Sequence, residues 1–509
     1  MREDERLDTR RRGGLLGRLV RRAAHGAFEG AAQALDADRM LQRSMATCIE
    51  VASHRYPYDP GAQWRPGEPL RLLLAGYTGT RNTGADVRVE EMIRQFRHLF
   101  GDEHLELSVL SIDPEASRGY FRTVRQLHLP QIYPRFLLDA VHTQHGVIAC
   151  EGSMFKSKFA NALSTMMVGA LGLATAEHKI AVGYGGEAGA MDASLERLVR
   201  RYCAEALIIA RNEQSRQVLA ELGIRSEPGT DTAWTFAPAP DAVGRGLLER
   251  AGWDGRTPVL ALCPINPFWW PVRPDLLRGA SHAVGGGHGD SHYASVYFHR
   301  WDDDVEEAQA RYIDALAQAV RRFADTHSVF PVCVGMERLD RRACESLASA
   351  LGGAPVFVSD DHDMYAMVSL LRQSRMLLSS RYHAIVTSMP GGVASAGVTM
   401  DERIRNLMAD RGQPELALEV DDPDLADRAY DVLRRLHDDT DAVRDGIDRC
   451  VVANLEQMGR MGRILVDHVR GRHPELEVRP GLGEGGDPWD HLPPLPPEVA
   501  ALVERTGGA

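Results

Sequence analysis

MLLSSRYHAIVTSMPGGV, residues Met376–Val393, is the stretch from which the chain is best read. An apolar run, Met376-Leu377-Leu378, ends in Ser379-Ser380, and Arg381, Tyr382 and His383 follow. Ala384, Ile385, Val386 and Met389 then repeat at helical spacing until Pro390-Gly391-Gly392. The pattern predicts a short buried strand, a tight turn and a short helix. Such a turn lies at the carboxyl end of a strand, where open α/β sheets bind ligands. Arg381 offers a planar fork of donors suited to a carboxylate or phosphate. His383 can titrate near neutral pH and carry protons. The pair suggests an anionic substrate that needs acid/base help. The plainer reading is an arginine paired with a structural carboxylate and a histidine that packs.

A chain of 509 residues exceeds one ordinary core. With 44% hydrophobic and 26% charged residues the composition is globular, and no stretch of about 18 uncharged apolar residues predicts a transmembrane helix. The formal charge of −12 argues against general nucleic-acid binding. Seven cysteines are scattered without a C-x-x-C pair, as expected of buried thiols in a reducing cytoplasm rather than of disulfides or a zinc site.

Outward from the central stretch, strand and helix patterns alternate. Leu70–Ala75 reads as a buried strand running into GYTGTRNTGAD. Gly76, Gly79 and Gly84 permit a backbone-close turn, and Asp86 is the expected helix cap. This is a candidate anion or sugar cradle, or simply a tight β–α turn; it is neither G-x-G-x-x-G nor a Walker loop. Strands are also expected at 105–111, 146–150, 179–183 and 207–210. Gly152 and Ser153, read as a helix start, form a second candidate anion site, with Lys156 and Lys158 beyond them. Arg211 is the first cation after its strand. A second α/β unit begins at 258–264, followed by Trp269-Trp270, with further strands at 329–334, 356–358 and 393–400. Repeated strand–helix units favour parallel doubly wound sheets. The segment 279–304 carries His282, His288, His292 and His299, but their spacing fits no standard ligand set and the stretch is glycine-rich, which predicts an insertion near the cleft and no metal site. Residues 1–30 are basic with an interrupted apolar face; they suggest peripheral contact with anionic lipid, or a basic tail. Residues 424–437 and 442–469 read as long amphipathic helices, and 471–509 as a largely disordered Pro/Gly-rich tail.

Five pieces in order resemble the polysaccharide pyruvyl transferase family. GYTGTRNTGAD, with Asn82 and an extra alanine before Asp86, is similar to a G-Y-x-G-x-x-N-x-G-D loop. Arg211–Ser215 resembles R-D-x-x-S, and Leu222-Gly223-Ile224 resembles L-G-[IV]. Asp231 in GTDTAW matches an aspartate before a small-aromatic pair. Ser379–Ala384 is similar to S-x-R-x-H-A, and Met400–Ile404 to Y-D-x-K-[VI], with Met400 and Arg403 in place of tyrosine and lysine. Glu151-Gly152-Ser153 stands where the family has a glycine triplet.

The resemblance implies a GT-B-like α/β fold: two Rossmann-like doubly wound domains (70–240 and 255–437) facing a cleft, a basic segment and connector (1–69), a C-terminal helix (438–470) and the tail. It implies a cytoplasmic transferase that moves pyruvate from phosphoenolpyruvate to a sugar of a cell-envelope or exopolysaccharide glycan, or its lipid-linked precursor, forming a ketal. No metal, nucleotide or other cofactor is required. His383 and Arg381 are the implied catalytic pair. Arg211, Gly76, Gly79, Asn82, Gly84, Asp86, Gly152, Ser153, Asp231 and Ser379 are the implied substrate-binding residues, and Trp269 or Trp270 a surface for the sugar. Two alternatives stay open: a GT-B glycosyltransferase using a nucleotide sugar, and a non-catalytic glycan-pathway binding protein.

Overall fold

The computed structural model describes residues 37–274, 297–482 and 486–507. The basic segment 1–30 and His282, His288 and His292 lie outside the described residues. The first sheet holds β1 (Leu70–Ala75), β2 (Leu105–Ser111), β3 (Arg125–His128), β4 (Gly146–Ala149), β5 (Ile180–Gly186), β6 (Leu207–Ala210) and β7 (Ser226–Pro228). Its order is β3-β2-β1-β4-β5-β6-β7, with every pairing parallel. The second holds β8 (Val259–Cys263), β11 (Phe330–Gly335), β12 (Val356–Val358), β13 (Met376–Ser379), β14 (Ala394–Thr399) and β15 (Ala417–Glu419). Its order is β12-β11-β8-β13-β14-β15, again parallel throughout. A two-stranded antiparallel ribbon pairs β9 (Arg273–Pro274) with β10 (Tyr297–Phe298). This is the expected GT-B-like architecture of two doubly wound units.

The central strands are apolar almost without break because helices cover both faces. Leu72, Leu73 and Leu74 of β1 and Leu377 of β13 are fully buried. In each sheet the strand order reverses once, between β1 and β4 and between β8 and β13. The loops after those strands open into a crevice where side chains can converge on a ligand. The two crevices meet, and Thr83 N donates to Met336 O at 2.8 Å across the seam.

β3, β7 and β15 had no counterpart in the sequence reading. Each is a short edge strand of three or four residues, and β3 and β7 have no buried residue to give a period of two. The Ala37–Arg55 helix docks Met45, Ile49 and Ala52 on the first unit, next to the Asn161–Ala176 helix. The Thr440–Arg472 helix returns to that unit, where Gln95 Nε2 donates to Met458 O at 3.0 Å and Thr230 N lies 3.1 Å from Met461 Sδ.

The tail corrects an expectation. Among its described residues, Pro488–His491 forms a turn with His491 fully buried, and Pro497–Thr506 is a helix that buries Val499, Leu502 and Val503. Its composition reads as disorder because it has few apolar residues, but the long helix supplies their partners. At Gly459 the Pro488 carbonyl occupies the place a Cβ would take, so this glycine lets the tail lie against the helix. Among the described residues no helix is long and apolar enough to cross a membrane.

Candidate active site

The loop after β1 is short because Gly79 adopts φ +79° and Gly76 packs on the Cys150 thiol. The Thr83–Phe100 helix that follows is capped by Asn82, whose Oδ1 accepts from Ala85 N at 3.2 Å. Asp86 is therefore not the cap. It lies within the helix's first turn, 1% exposed, and neither carboxylate oxygen has a hydrogen-bond partner among the described residues. Burial pushes its pKa well above the ordinary carboxylate value.

The loop after β13 is fixed by Ser379, whose Oγ accepts from Arg381 N and donates to Arg381 O, both at 2.9 Å. The Arg381 guanidinium reaches Asp340 through Nε (2.8 Å to Oδ2) and Glu337 Oε2 through Nη2 (2.6 Å). Burial pushes the Asp340 carboxyl up to about 6 against the pull of Arg381. Glu337 Oε1 also accepts from Tyr77 of the first unit, at 3.1 Å. Arg381 thus has the structural carboxylate partners of the plainer reading, and it also faces the interdomain cavity.

Asp231 is the hub of the seam. Its Oδ2 lies 2.9 Å from Arg211 Nη2, 3.3 Å from Arg88 Nε and 3.2 Å from His383 Nε2, and its Oδ1 accepts from Ala233 N at 2.9 Å. Burial alone would raise its pKa, but Arg211, Arg88 and His383 hold it well below the carboxylate range. Burial lowers the His383 pKa below its ordinary value; Asp231 pulls it up, and Arg211 and Arg88 push it down. The imidazole is therefore neutral at pH 7. Arg211 also lies over the Tyr382 ring, 4.9 Å from its centroid, and 3.6 Å from Glu187.

Two glycines make room for this cluster. A Cβ on Gly84 would fall on the His383 imidazole, and one on Gly152 on the Arg211 guanidinium. Gly84→Ala is therefore expected to shift the imidazole off Asp231, lowering turnover about 100-fold with little change in substrate affinity. Steady-state kinetics beside a crystal structure of the variant check this.

A cavity of about 370 Å³ opens between the two units. Asn82, Ser153 and Arg381 of the expected residues line it, with Tyr77, Glu151 and Glu337. Arg211, Asp231 and His383 are gathered beside Arg381 but are not among its lining residues. Gly152-Ser153 does not begin a helix: residues 151–160 form a loop, and the next helix starts at Asn161. The helical expectation failed because the run beyond it is apolar on all sides and carries no capping signal. Of the tryptophans, Trp270 lines the cavity, whereas Trp269 is buried against His299 with rings 4.1 Å apart.

Two further cations line the cavity. Lys156, 2% exposed, lies 2.6 Å from Glu402 Oε1 and 3.2 Å from Glu187 Oε2. Arg403 lies 2.8 Å from Asp401 and over the Phe159 ring at 4.8 Å. Lys158, by contrast, donates to Met400 O at 3.0 Å. The residues that sequence reasoning missed are Arg88, Glu187, Glu337 and Asp340. Arg88 alone had a signal: it stands four residues before Met92, on the buried side of the helix. Among the described residues one group could hold a metal ion, His327, His437 and Asp438, and none of the three lines this cavity.

Residues 180–401 match the family model described as polysaccharide pyruvyl transferase. No curated protein matches the chain. Among solved structures, the chain is similar to a UDP-GlcNAc 2-epimerase from Neisseria meningitidis bound to UDP-GlcNAc (11% identity, 79% of this chain and 99% of that one, TM-score 0.45). It is also similar to a sucrose-phosphate synthase from Thermosynechococcus elongatus (12% identity, 80% and 99%, TM-score 0.45). A third is a family 9 glycosyl transferase from Veillonella parvula (9% identity, 77% and 100%, TM-score 0.34). The matched segment runs from β5 to the Asp401 turn and contains Arg211, Asp231, Arg381 and His383. The match over residues 180–401 supports the resemblance read from the sequence, to a family of transferases.

Proposed function

We propose that the protein transfers pyruvate from phosphoenolpyruvate to two hydroxyls of a sugar in a cell-envelope or exopolysaccharide glycan, or in its lipid-linked precursor. The observation that carries this reading is the Asp231–His383 pair, held at the seam with His383 two residues beyond Arg381, inside the segment that matches the family. Phosphoenolpyruvate brings a carboxylate and a phosphate, and Lys156, Arg381 and Arg403 face the cavity in which it would lie. Arg211 holds Asp231 and the Tyr382 ring, so in this reading it sets the electrostatics of the pair from behind.

His383 begins neutral and takes the proton of the first attacking hydroxyl, while Asp231 stabilises the imidazolium that forms. That proton passes to the methylene carbon of the enol as the hydroxyl oxygen bonds to the adjacent carbon. Phosphate leaves, the second hydroxyl closes the ketal, and its proton departs with phosphate. The step is balanced with phosphoenolpyruvate and a diol alone.

The test is incubation with phosphoenolpyruvate and a panel of glycans, following phosphate release and the new ketal methyl signal by NMR. Matched appearance of both is expected. Phosphate release without a ketal, or neither product across the panel while a UDP-sugar is consumed, would overturn the reading.

We further propose that the protein acts in the cytoplasm at the inner membrane face, docked through its basic residues 1–30. Deleting them should release the protein from anionic vesicles. Undiminished binding by the truncated chain would show that the segment is not the anchor.

A further inference from the structure

We propose a second anion site, for a phosphate-bearing small organic molecule, in a cavity behind the linker that joins the two units. This cavity, about 910 Å³, shares no residue with the interdomain cavity. Its walls come from linker residues 237–241 and 253–259, from the end of the Met364–Arg372 helix, from the Thr440–Arg472 helix and from residues 496–498.

The charge of the lining points to the ligand. In a chain of net charge −12, this cavity is lined by four arginines, 256, 372, 375 and 444, against two carboxylates, Asp241 and Glu498. Arg372 is committed to the fold: it lies 2.6 Å from Glu498 and donates to Thr387 O at 2.9 Å and Phe236 O at 3.1 Å. The other three are not so matched. Among the described residues no carboxylate lies within 4.0 Å of the guanidinium of Arg256, Arg375 or Arg444. Arg444 donates to Gly392 O at 2.8 Å, and burial, then the Arg375 charge, depress its pKa. Asp441 and Asp448 offset the Arg444 charge from more than 4.0 Å away, and an anion in the cavity would offset Arg375 and Arg444 more closely.

Ser374 supplies an independent sign. It lines the same cavity, is 6% exposed, and its hydroxyl has no hydrogen-bond partner among the described residues. That oxygen is closed off from solvent, so a phosphate oxygen would satisfy it once the side chain turns toward the cavity, and a buried hydroxyl without a partner is costly. The volume exceeds that of phosphate alone and falls in the range of small-ligand sites, and the Trp253 ring on one wall gives an organic part a surface. A ligand here touches the linker, the second unit and the C-terminal segment together, so its binding is coupled to how they are held.

Calorimetric titration of the full-length chain with inorganic pyrophosphate tests the site. Saturable binding is expected, weakened at least tenfold by Arg375→Glu and by Arg256→Glu. Both side chains are exposed, so both variants should fold. The same binding should survive Arg403→Ala, which alters only the interdomain cavity. Absence of saturable binding, or binding that both linker-side variants retain at full strength, would overturn the proposal.

Discussion

Asp231→Asn is expected to cost about 3–5 kcal/mol of folding stability, because it leaves buried Arg88 without its anion and Arg211 with only Glu187 at 3.6 Å. Asp231 is fully buried, and the same oxygen faces Arg88, Arg211 and His383. Arg88 keeps hydrogen bonds to Gly185 O (2.9 Å) and Cys150 O (3.2 Å), and Arg211 keeps the Tyr382 ring, so the charges stay buried rather than swinging into water. Denaturant unfolding of the two proteins measures the loss.

The pH dependence of that loss has a definite sign. The folded-state pKa of Asp231 is depressed, so its contribution is complete above the unfolded value of about 4 and is lost as pH falls through the folded value. The carboxylate's own share of the gap between wild type and Asp231→Asn should be constant from neutral pH to about 4 and narrow below that. The substitution also removes the charge that raises the His383 pKa while Arg88 and Arg211 remain. The His383 titration, already below its ordinary value, should therefore move lower still. A variant as stable as wild type, or an imidazole that titrates higher, would contradict this electrostatic account.

His383→Ala should leave the fold intact and lower turnover by about 10²–10⁴-fold, the usual worth of a positioned acid/base. Asp231 keeps both arginines in this variant, so the buried charges stay matched and the thermal midpoint should move little. The loss should fall on kcat rather than KM, since the cations lining the cavity are untouched. Turnover within a few fold of wild type would remove His383 from the chemistry. In the wild type, the acid limb of the kcat/KM profile should lie below pH 6.5, because burial and the two arginines outweigh Asp231.

The two sheets were legible because their central strands are continuous apolar runs that end in glycine or serine turns. β1, β2, β6 and β12 fall on the residues that hydrophobicity alone marks. The edge strands were not legible, since one open edge and few buried residues leave no periodicity to read. The site was legible where chemistry and turn coincide, as at Arg381, His383 and Asp231. Its supporting charges were not. Glu337 and Asp340 follow β11 in the middle of a polar stretch, and only the β11-β8-β13 strand order of the second sheet brings them to Arg381. Asp86 shows the converse: a helix-start position predicts a cap, yet the neighbouring Asn82 takes that role and the carboxylate is left buried. The tail was misread for a similar reason. Its folding depends on Gly459 and on the long helix that immediately precedes it, contacts that composition alone does not show.

The most direct test of the pyruvyl-transfer reading is calorimetric titration of the full-length protein with phosphoenolpyruvate, beside Arg381→Lys and Arg403→Ala. The account predicts saturable binding that weakens at least tenfold in each variant, because both side chains line the cavity in which the donor would lie. No binding of phosphoenolpyruvate under conditions where a UDP-sugar binds would contradict it and assign the cavity to a nucleotide-sugar donor.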